Sequence, residues 1–478
     1  MLEYITQAIL NFRANFSRER TWLLFGAVVL GFIATPEMIG VTSICRFWMC
    51  NESGYNSLLH FFRSKAYEYG ALVMTWQCFA LNQNVTVEIN GRCIILGDHT
   101  EVVKDGGRMP GVVSLHEHSE TQSKPSYFRG QFWGAICLVI GSMTEPFGLP
   151  LELQIQQGFK HLGEDDNKER LSIAELVVQM ALLFVVANDR PAFLVLDAFF
   201  STGSVFLLAR SVYSVALKQP YLEIITRAKK NYVAYFPAPT KPTNRPGPQA
   251  FYGDKVYLMS IFDYLHLFET VECMVYGKME SIKLFSIPLL WKPIGDYILF
   301  VFAITSRGPI ILMSSDLTIS PIIVIELYCV RSRIEVMFDV LKNLIGAFMF
   351  RFWSKYLPLH SRTPTPNKNL KAPLPEHESN VASCWQAYEI FVLCAAIATG
   401  LLQLIALKFG SEVWNQHVLY LRTKSRSLPS EKTVRQVLVS LILEELFNLP
   451  SNSVIAKIRQ YLVHSKDDND CPEYAQAA

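Results

Sequence analysis

No CxxC pair occurs in this chain, although it contains ten cysteines: Cys45, Cys50, Cys78, Cys93, Cys137, Cys273, Cys329, Cys384, Cys394 and Cys471. Without that spacing, a structural zinc and a disulfide framework are both poorly supported. Most of the ten sit in apolar runs, which fits buried, reduced thiols in a cytosolic protein. Charge is scarce too, at 18% of residues, with a formal net charge of +2. That balance announces no polyanion partner, so a nucleic-acid surface would have to come from local clusters. Half of the residues are hydrophobic, which excludes disorder for most of the chain. A length of 478 residues suggests two to four domains, and no internal repeat is visible.

A regular series of membrane spans is also missing. Thr21 to Cys45 carries one charge, Glu37, but Pro36-Glu37 splits it into pieces too short to cross a bilayer. Ile390 to Leu407 has no charge, yet it includes Gln403 and stands alone in its region. No small-residue cleavage site follows the first run, so a secretory signal is not supported. Both runs read as buried helices of a soluble protein, with a polytopic membrane protein as the lesser alternative.

What the chain does have is the segment YCVRSRIEVMFDVLK around position 330. Tyr328, Arg331, Glu335 and Lys342 fall within a stripe of about 60° at 100° per residue. Asp339 and Asn343 extend that strip, while Val330, Ile334, Met337, Leu341 and Leu344 form the opposite arc and would face a core. One aromatic, two cations and a carboxylate on one edge suit a surface that holds metal and phosphate together. An ordinary amphipathic helix is the plainer reading.

The order of elements leads to a fold class. Residues 1–88 read as a helical N-terminal region, including the basic-aromatic stretch FFRSKAYEYGALVMTWQCF. Arg92 to Gly97 is an apolar run ending at Asp98, and Val112 to His116 and Phe132 to Ile140 read as two further strands. A helical pattern from about Leu171 to Ala187 precedes the strand Ala192–Leu196, which delivers Asp197. Ser201 could cap a helix to about Leu217, and Tyr221 to Thr226 reads as a fifth strand. This α/β succession is that of an RNase H-like core, spanning 89–230. A β-rich insertion follows at 231–316, opening with the basic loop PAPTKPTNRPGPQ. Ser320-Pro321 then starts a last helix in 317–357, with Ser at the cap and Pro in the first turn. A Pro-rich linker, 358–380, leads to a helical C-terminal region, 381–478, frayed after Lys466.

Asp98 and Asp197 each follow an apolar run, so neighbouring strands would bring them to one sheet edge. Two such anions repel unless protonated or bridged by a cation. A divalent hard ion resolves the repulsion, and Glu335 would complete its oxygen shell. Two metals about 3.5–4 Å apart serve phosphodiester chemistry, one activating water or a 3′-hydroxyl and the other stabilising the leaving oxygen. Taken singly, Asp98 reads equally well as a strand-end turn residue and Asp197 as a helix cap.

These residues resemble the DDE transposases of bacterial insertion sequences, in the branch marked by a Tyr-Arg-Glu-Lys signature. Here that signature is Tyr328, Arg331, Glu335 and Lys342, and the blocks GDHTEVVKDGGRMPGV, HSETQSKPSYFRGQFWGA and LVLDAFFSTG are similar to that family as well. The resemblance covers about residues 20–420. It implies that Asp98, Asp197 and Glu335 are catalytic ligands of Mg²⁺, with Mn²⁺ as a substitute. It further implies that Arg331 and Lys342 hold phosphates and that Tyr328 packs on the end nucleotides. The implied partners are the terminal inverted repeats and target DNA, bound by a homodimer that pairs two ends in the cytoplasm at the nucleoid. Gln131 stands where relatives usually have His, and the loop near Arg245 is less basic than expected. A nuclease of the same fold without strand transfer is the alternative, as is an inactive remnant.

Weaker signals complete the reading. Trp291 could stack a flipped base, as some relatives use a Trp in the insertion, or could be an ordinary core residue. Thr100 and Lys104 could orient metal-bound water or phosphate, or lie idle on a strand surface. Arg227, Lys229 and Lys230 could contact DNA phosphates or be solvated loop cations. His99, His116 and His118 offer a poorly supported transition-metal site, and LRTKSRS near 421 a weak DNA contact.

Overall fold

The structure is a computed structural model that describes residues 1–117, 125–164, 170–215, 218–240, 248–418, 427–448 and 453–464. His118, Arg245, Leu217, most of the LRTKSRS segment and the residues after Lys466 lie outside them. The fold is mixed α/β. Five helices open the chain: α1 (Leu2–Asn11), α2 (Glu19–Ala34), α3 (Val41–Trp48), α4 (Glu52–Phe61) and α5 (Tyr69–Leu81).

One 13-stranded sheet then dominates the molecule. Its first part holds β1 (Arg92–Val103), β2 (Val113–His116), β3 (Tyr127–Gly141), β4 (Pro146–Ile155), β5 (Ala192–Val195) and β6 (Leu222–Arg227). β1 pairs antiparallel with β3, and β3 pairs antiparallel with both β2 and β4. On its other side β1 runs parallel to β5, and β5 parallel to β6. Helix α6 (Ile173–Ala187), started by a reciprocal Ser172–Glu175 cap, connects β4 to β5. Helix α7 (Gly203–Arg210) connects β5 to β6. Cys93 to Leu96 is apolar throughout because both faces of β1 are covered there.

Three expectations need correction. The long partner of β3 along its C-terminal half is Pro146–Ile155, which the sequence reading passed over; Val112–His116 supplies only a short strand at the other end of β3. Prolines 146 and 150 hide that strand. Pro150 needs no ladder N–H because it sits where the β3–β4 register shifts, opposite Ile136/Cys137. Second, Asp98 does not end its strand: β1 continues to Val103, with Asp98 opposite Ala135 of β3. Third, α7 begins at Gly203 after Thr202, while the Ser201 hydroxyl donates to Ala198 O at 2.7 Å.

The sheet continues through residues 231–316. These hold β7 (Val233–Pro237), β8 (Tyr252–Tyr257), β9 (Glu269–Val275), β10 (Lys278–Trp291), β11 (Asp296–Thr305) and β12 (Gly308–Ser314). β12 lies antiparallel against β6, with Leu312 opposite Arg227, so these strands extend the sheet edge to edge. Helix α8 (Pro321–Val330) starts with Ser320 as cap and Pro321 in the first turn, as expected from the sequence. The run after it is interrupted rather than continuous. Arg331 N–H bonds Tyr328 O three residues back, α9 (Ser332–Asp339) follows, and Val340–Ile345 forms a π turn.

The C-terminal helices are α10 (Glu378–Lys408), α11 (Gly410–Gln416), α12 (Glu431–Asn448) and α13 (Val454–His464). Among the described residues α10 belongs to the one helical run long and apolar enough to cross a membrane, but 94% of its apolar window is buried inside the protein. It packs on α2, where Phe391 and Phe32 rings meet at 4.9 Å, so the two apolar runs cover each other. The Gln403 amide nitrogen donates in that core to Gly148 O at 3.2 Å and Glu431 Oε1 at 3.0 Å, while its buried carbonyl oxygen accepts no hydrogen bond among the described residues.

Candidate functional site

Register builds the site. β1 and β5 pair as far as Leu96 opposite Val195; two residues on, Asp98 within β1 and Asp197 just past the end of β5 lie at the same level. β5 and β6 pair as far as Val195 opposite Ile225, so Arg227 continues the same row. Gly97 is needed beneath it: a Cβ there would come within 2.8 Å of Leu196 and of Val177 on α6. Close packing of α6 on β1 thus fixes the height of Asp98.

Helix α9 brings the third acid. Arg331 lies between the acids, its Nη1 donating to Asp98 Oδ2 at 3.1 Å and its Nη2 to Glu335 Oε1 at 2.6 Å. Burial and the nearby Asp197 charge push the Asp98 carboxyl up to about 7, against the pull of Arg331 and of the His99 N–H, which donates to Oδ1 at 2.8 Å; Glu335 adds to the upward push. Asp197 Oδ1 accepts from Phe199 N–H at 2.7 Å, capping the turn Ala198–Phe200. Its capping role and its place beside Asp98 coexist. Glu335 is the outermost acid, with its side chain 59% exposed.

The structure also brings Tyr328, Arg227 and Lys342 to this edge, in altered roles. Tyr328 is 8% exposed, so its ring has little face left for packing on nucleotides. Burial raises its phenol, and Arg331 and Arg227 oppose that rise. Lys342, on the π turn, donates to Glu101 O on β1 at 3.2 Å. Lys229 lies exposed in the turn after β6, with Lys230 beside it.

Two expected contacts are not placed for DNA. Trp291 is 3% exposed and packed between Phe206, at 5.4 Å, and Tyr232, at 5.7 Å. Its ring offers no face to a flipped base; the core reading holds. Lys104 donates to Phe348 O at 2.5 Å and Phe350 O at 2.8 Å and lies over the Phe350 ring. Burial and repulsion from Arg351 lower it to about 8, so it fastens the segment after the π turn to β1. Thr100 is buried on the same strand.

Among the described residues, His99 and His116 do not converge on a metal either. The His99 ring bonds Gln156 Oε1 at 2.9 Å and Ile173 O at 3.1 Å, stacks on Phe200, and is held down to about 4 by burial. His116 packs on Tyr127 instead. Gln131, at the position noted for its departure from relatives, is fully buried and donates to Pro110 O at 3.0 Å.

Among the described residues no three His, Cys, Asp or Glu side chains close on a common point as metal ligands. The donor set nonetheless has the right chemistry for a hard divalent ion: carboxylate oxygens on three separate elements, two of them bridged by the Arg331 guanidinium. That cation stands in for positive charge between Asp98 and Glu335. The sequence reading missed Arg331 as their bridge. It also missed an arginine within the insertion, Arg307, 3.8 Å from the Tyr276 ring, whose charge opposes the rise that burial imposes on the Cys329 thiol. The i, i+4 spacing of Arg331 and Glu335 could have announced one arm of that bridge; nothing in the spacing points to Asp98 or to Tyr276. The chain matches no protein-family model, and no curated protein is a sequence match.

Proposed function

We propose that this chain is a DNA transposase of the DDE type, which binds the terminal inverted repeats of its element, cleaves there and joins the freed 3′-hydroxyls to target DNA. One observation carries the reading: Asp98, Asp197 and Glu335, more than a hundred residues apart in two of the three intervals, lie within electrostatic reach of one another around Arg331. The strand arrangement supports it, since β4-β3-β1-β5-β6, with the first three antiparallel and the last three parallel, is the order expected of an RNase H-like core. Residues 231–316 then serve as the insertion, and the helical regions at either end frame the core.

Asp98, Asp197 and Glu335 would hold Mg²⁺, or Mn²⁺ in its place. When bound, the ions lower the pKa of the attacking water or 3′-hydroxyl and stabilise the leaving 3′-oxygen. The protein's own groups do the rest. Arg331 offers a planar fork that can leave the carboxylates for a phosphate. Arg227 and Lys342 supply positive charge on either side of the acids. The rigid β1–β5 row holds Asp98 and Asp197 in place, while Glu335 on the more exposed helix can adjust. End recognition belongs to the helical N-terminal region, and the active form is a homodimer pairing two ends in the cytoplasm.

The test is Glu335→Gln. Binding to labelled element ends persists and cleavage in Mg²⁺ disappears; normal cleavage by that variant would refute the assignment. Strand-transfer product in a plasmid assay separates a transposase from a nuclease of the same fold.

A further inference from the structure

Beyond the acids, β1 runs into a groove of about 780 Å³ whose walls include Lys104, Arg108, Arg351, Trp353, Leu359 and Arg362. Its charge is one-sided. Asp105 is the acid in the lining, and neither Arg351 nor Arg362 forms an ion pair among the described residues. Both are exposed. Arg108 is held in place by Lys355 O at 2.9 Å. Arg63, from the basic-aromatic stretch that the acidic site leaves unused, donates to Trp353 O at 3.3 Å and so joins the same rim. The Lys104 ammonium inside the wall is depressed first by burial and then by repulsion from Arg351. Trp353 and Leu359 add apolar surface, 37% and 69% exposed.

The groove lies at a definable distance from the acids. Lys104 is six residues from Asp98, just past the end of β1 at Val103, about 20 Å at roughly 3.3 Å per residue. Phosphates along one strand of duplex DNA recur about every 3.4 Å of axis, so that separation spans about six nucleotides.

We propose that this groove seats the phosphodiester backbone of DNA about six nucleotides from the position facing Asp98, with Arg351 and Arg362 on phosphates and Trp353 and Leu359 against the sugars. The nucleotide register rests on the proposed cleavage site; the anionic-backbone contact itself does not. Exposed arginines without counter-ions are suited to this, because they can release condensed ions on contact without first breaking a protein ion pair.

The experiment compares the full chain with the double variant Arg351→Gln/Arg362→Gln, by fluorescence anisotropy on a labelled 30-base-pair duplex across a NaCl series. Two lost phosphate contacts reduce the slope of log affinity against log salt by about 2 and weaken low-salt binding about tenfold. On element-end duplexes shortened stepwise from either side, the variant's deficit vanishes once fewer than about six base pairs remain beyond the cleavage position. Arg351→Lys/Arg362→Lys keeps most of the slope. An unchanged slope in the Gln pair overturns the proposal, as does an equal loss in the Lys pair, which would trace the effect to packing. Selective displacement of DNA by inorganic phosphate at fixed ionic strength would assign a free-anion site instead. Variant-sensitive binding to anionic vesicles with unaltered DNA binding would assign a lipid surface. Glu335→Gln, measured in parallel, keeps the wild-type slope; if it also cleaves normally, the catalytic reading falls while the groove result stands.

Discussion

Asp98, within β1, and Asp197, just past the end of the parallel strand β5, each stand two residues past the last paired rung, Leu96 opposite Val195. No turn or loop intervenes on the Asp98 side, since β1 continues to Val103. Backbone pairing sets the height of the pair, and hydrogen bonds hold each carboxylate: Arg331 and the His99 N–H on Asp98, the Phe199 N–H on Asp197. Repulsion between the two is relieved by Arg331 and by partial protonation of Asp98, whose carboxyl is pushed up to about 7.

That shift makes stability depend on pH with a definite sign. Between the ordinary carboxylate value of 3.8 and about 7, folded Asp98 holds a proton that the unfolded chain has released. Its effect on stability is therefore smallest below pH 4, and stability declines as pH rises through 7, by at most roughly 4 kcal/mol. Asp98→Asn removes the titrating group. In EDTA, the melting temperature of the wild-type chain should fall further between pH 5 and pH 8 than that of Asp98→Asn. Mg²⁺ at pH 8 should then recover the wild type alone. A gap between the two chains that stays constant with pH would rule this out.

Arg331→Ala removes the fork bridging Asp98 and Glu335. The remaining acids then repel without a local cation, so the variant should require less Mg²⁺ for the same thermal shift, the ion taking the place of the lost guanidinium. Formation of the end complex should nonetheless weaken. Arg331→Lys should recover little, because a single ammonium cannot bridge two carboxylates as a guanidinium does. Complex yield across a salt series reads the effect; equal yields in wild type and Arg331→Ala at every salt would contradict the phosphate role.

Much of the site could be read before the fold was known, because its signals are local. Apolar runs announced β1 and β5, and the residues that follow them, Asp98 and Asp197, were conspicuous by position. The 100° spacing placed Ile334, Met337 and Leu341 on a buried face, where they lie. What was illegible depends on distant partners. Pro146–Ile155 lacks a strand's composition and is stabilised by β3, with Pro150 accommodated at a register shift. Trp291 looked available and is enclosed by Phe206 and Tyr232, from separate segments. Of the groove cations, Arg63 sits in the basic-aromatic stretch, whereas Arg108, Arg351 and Arg362 stand singly in sequence, with no run to mark them.

Gly97→Ala tests how tightly α6 fixes the height of the first acid. Its Cβ would meet Leu196 and Val177 side chains at 2.8 Å, closer than real Cβ contacts allow. Overpacking of this kind costs about 1–3 kcal/mol. Cleavage should fall more than the melting temperature alone explains, because the strand bearing Asp98 must shift to make room. Pairing the change with Val177→Ala should restore part of both, and a failure of that rescue would place the strain elsewhere.

Lys104 separates structural from DNA-contacting cations. Its ammonium bonds Phe348 O and Phe350 O, so Lys104→Met leaves two carbonyls without their donor. Hydrogen bonds from a charged donor of this kind are worth about 1.5–3 kcal/mol. Folded Lys104 titrates near 8 against an ordinary 10.5, so the folded chain binds fewer protons than the unfolded chain between those values. The wild type should therefore gain stability as pH rises from 8 to 10.5, a gain that Lys104→Met loses. Chemical denaturation at pH 7.5 and pH 10 measures both effects. The salt slope for DNA should stay at the wild-type value in this variant. A slope reduced by about 1 would instead make Lys104 a phosphate contact, reached by releasing the two carbonyls.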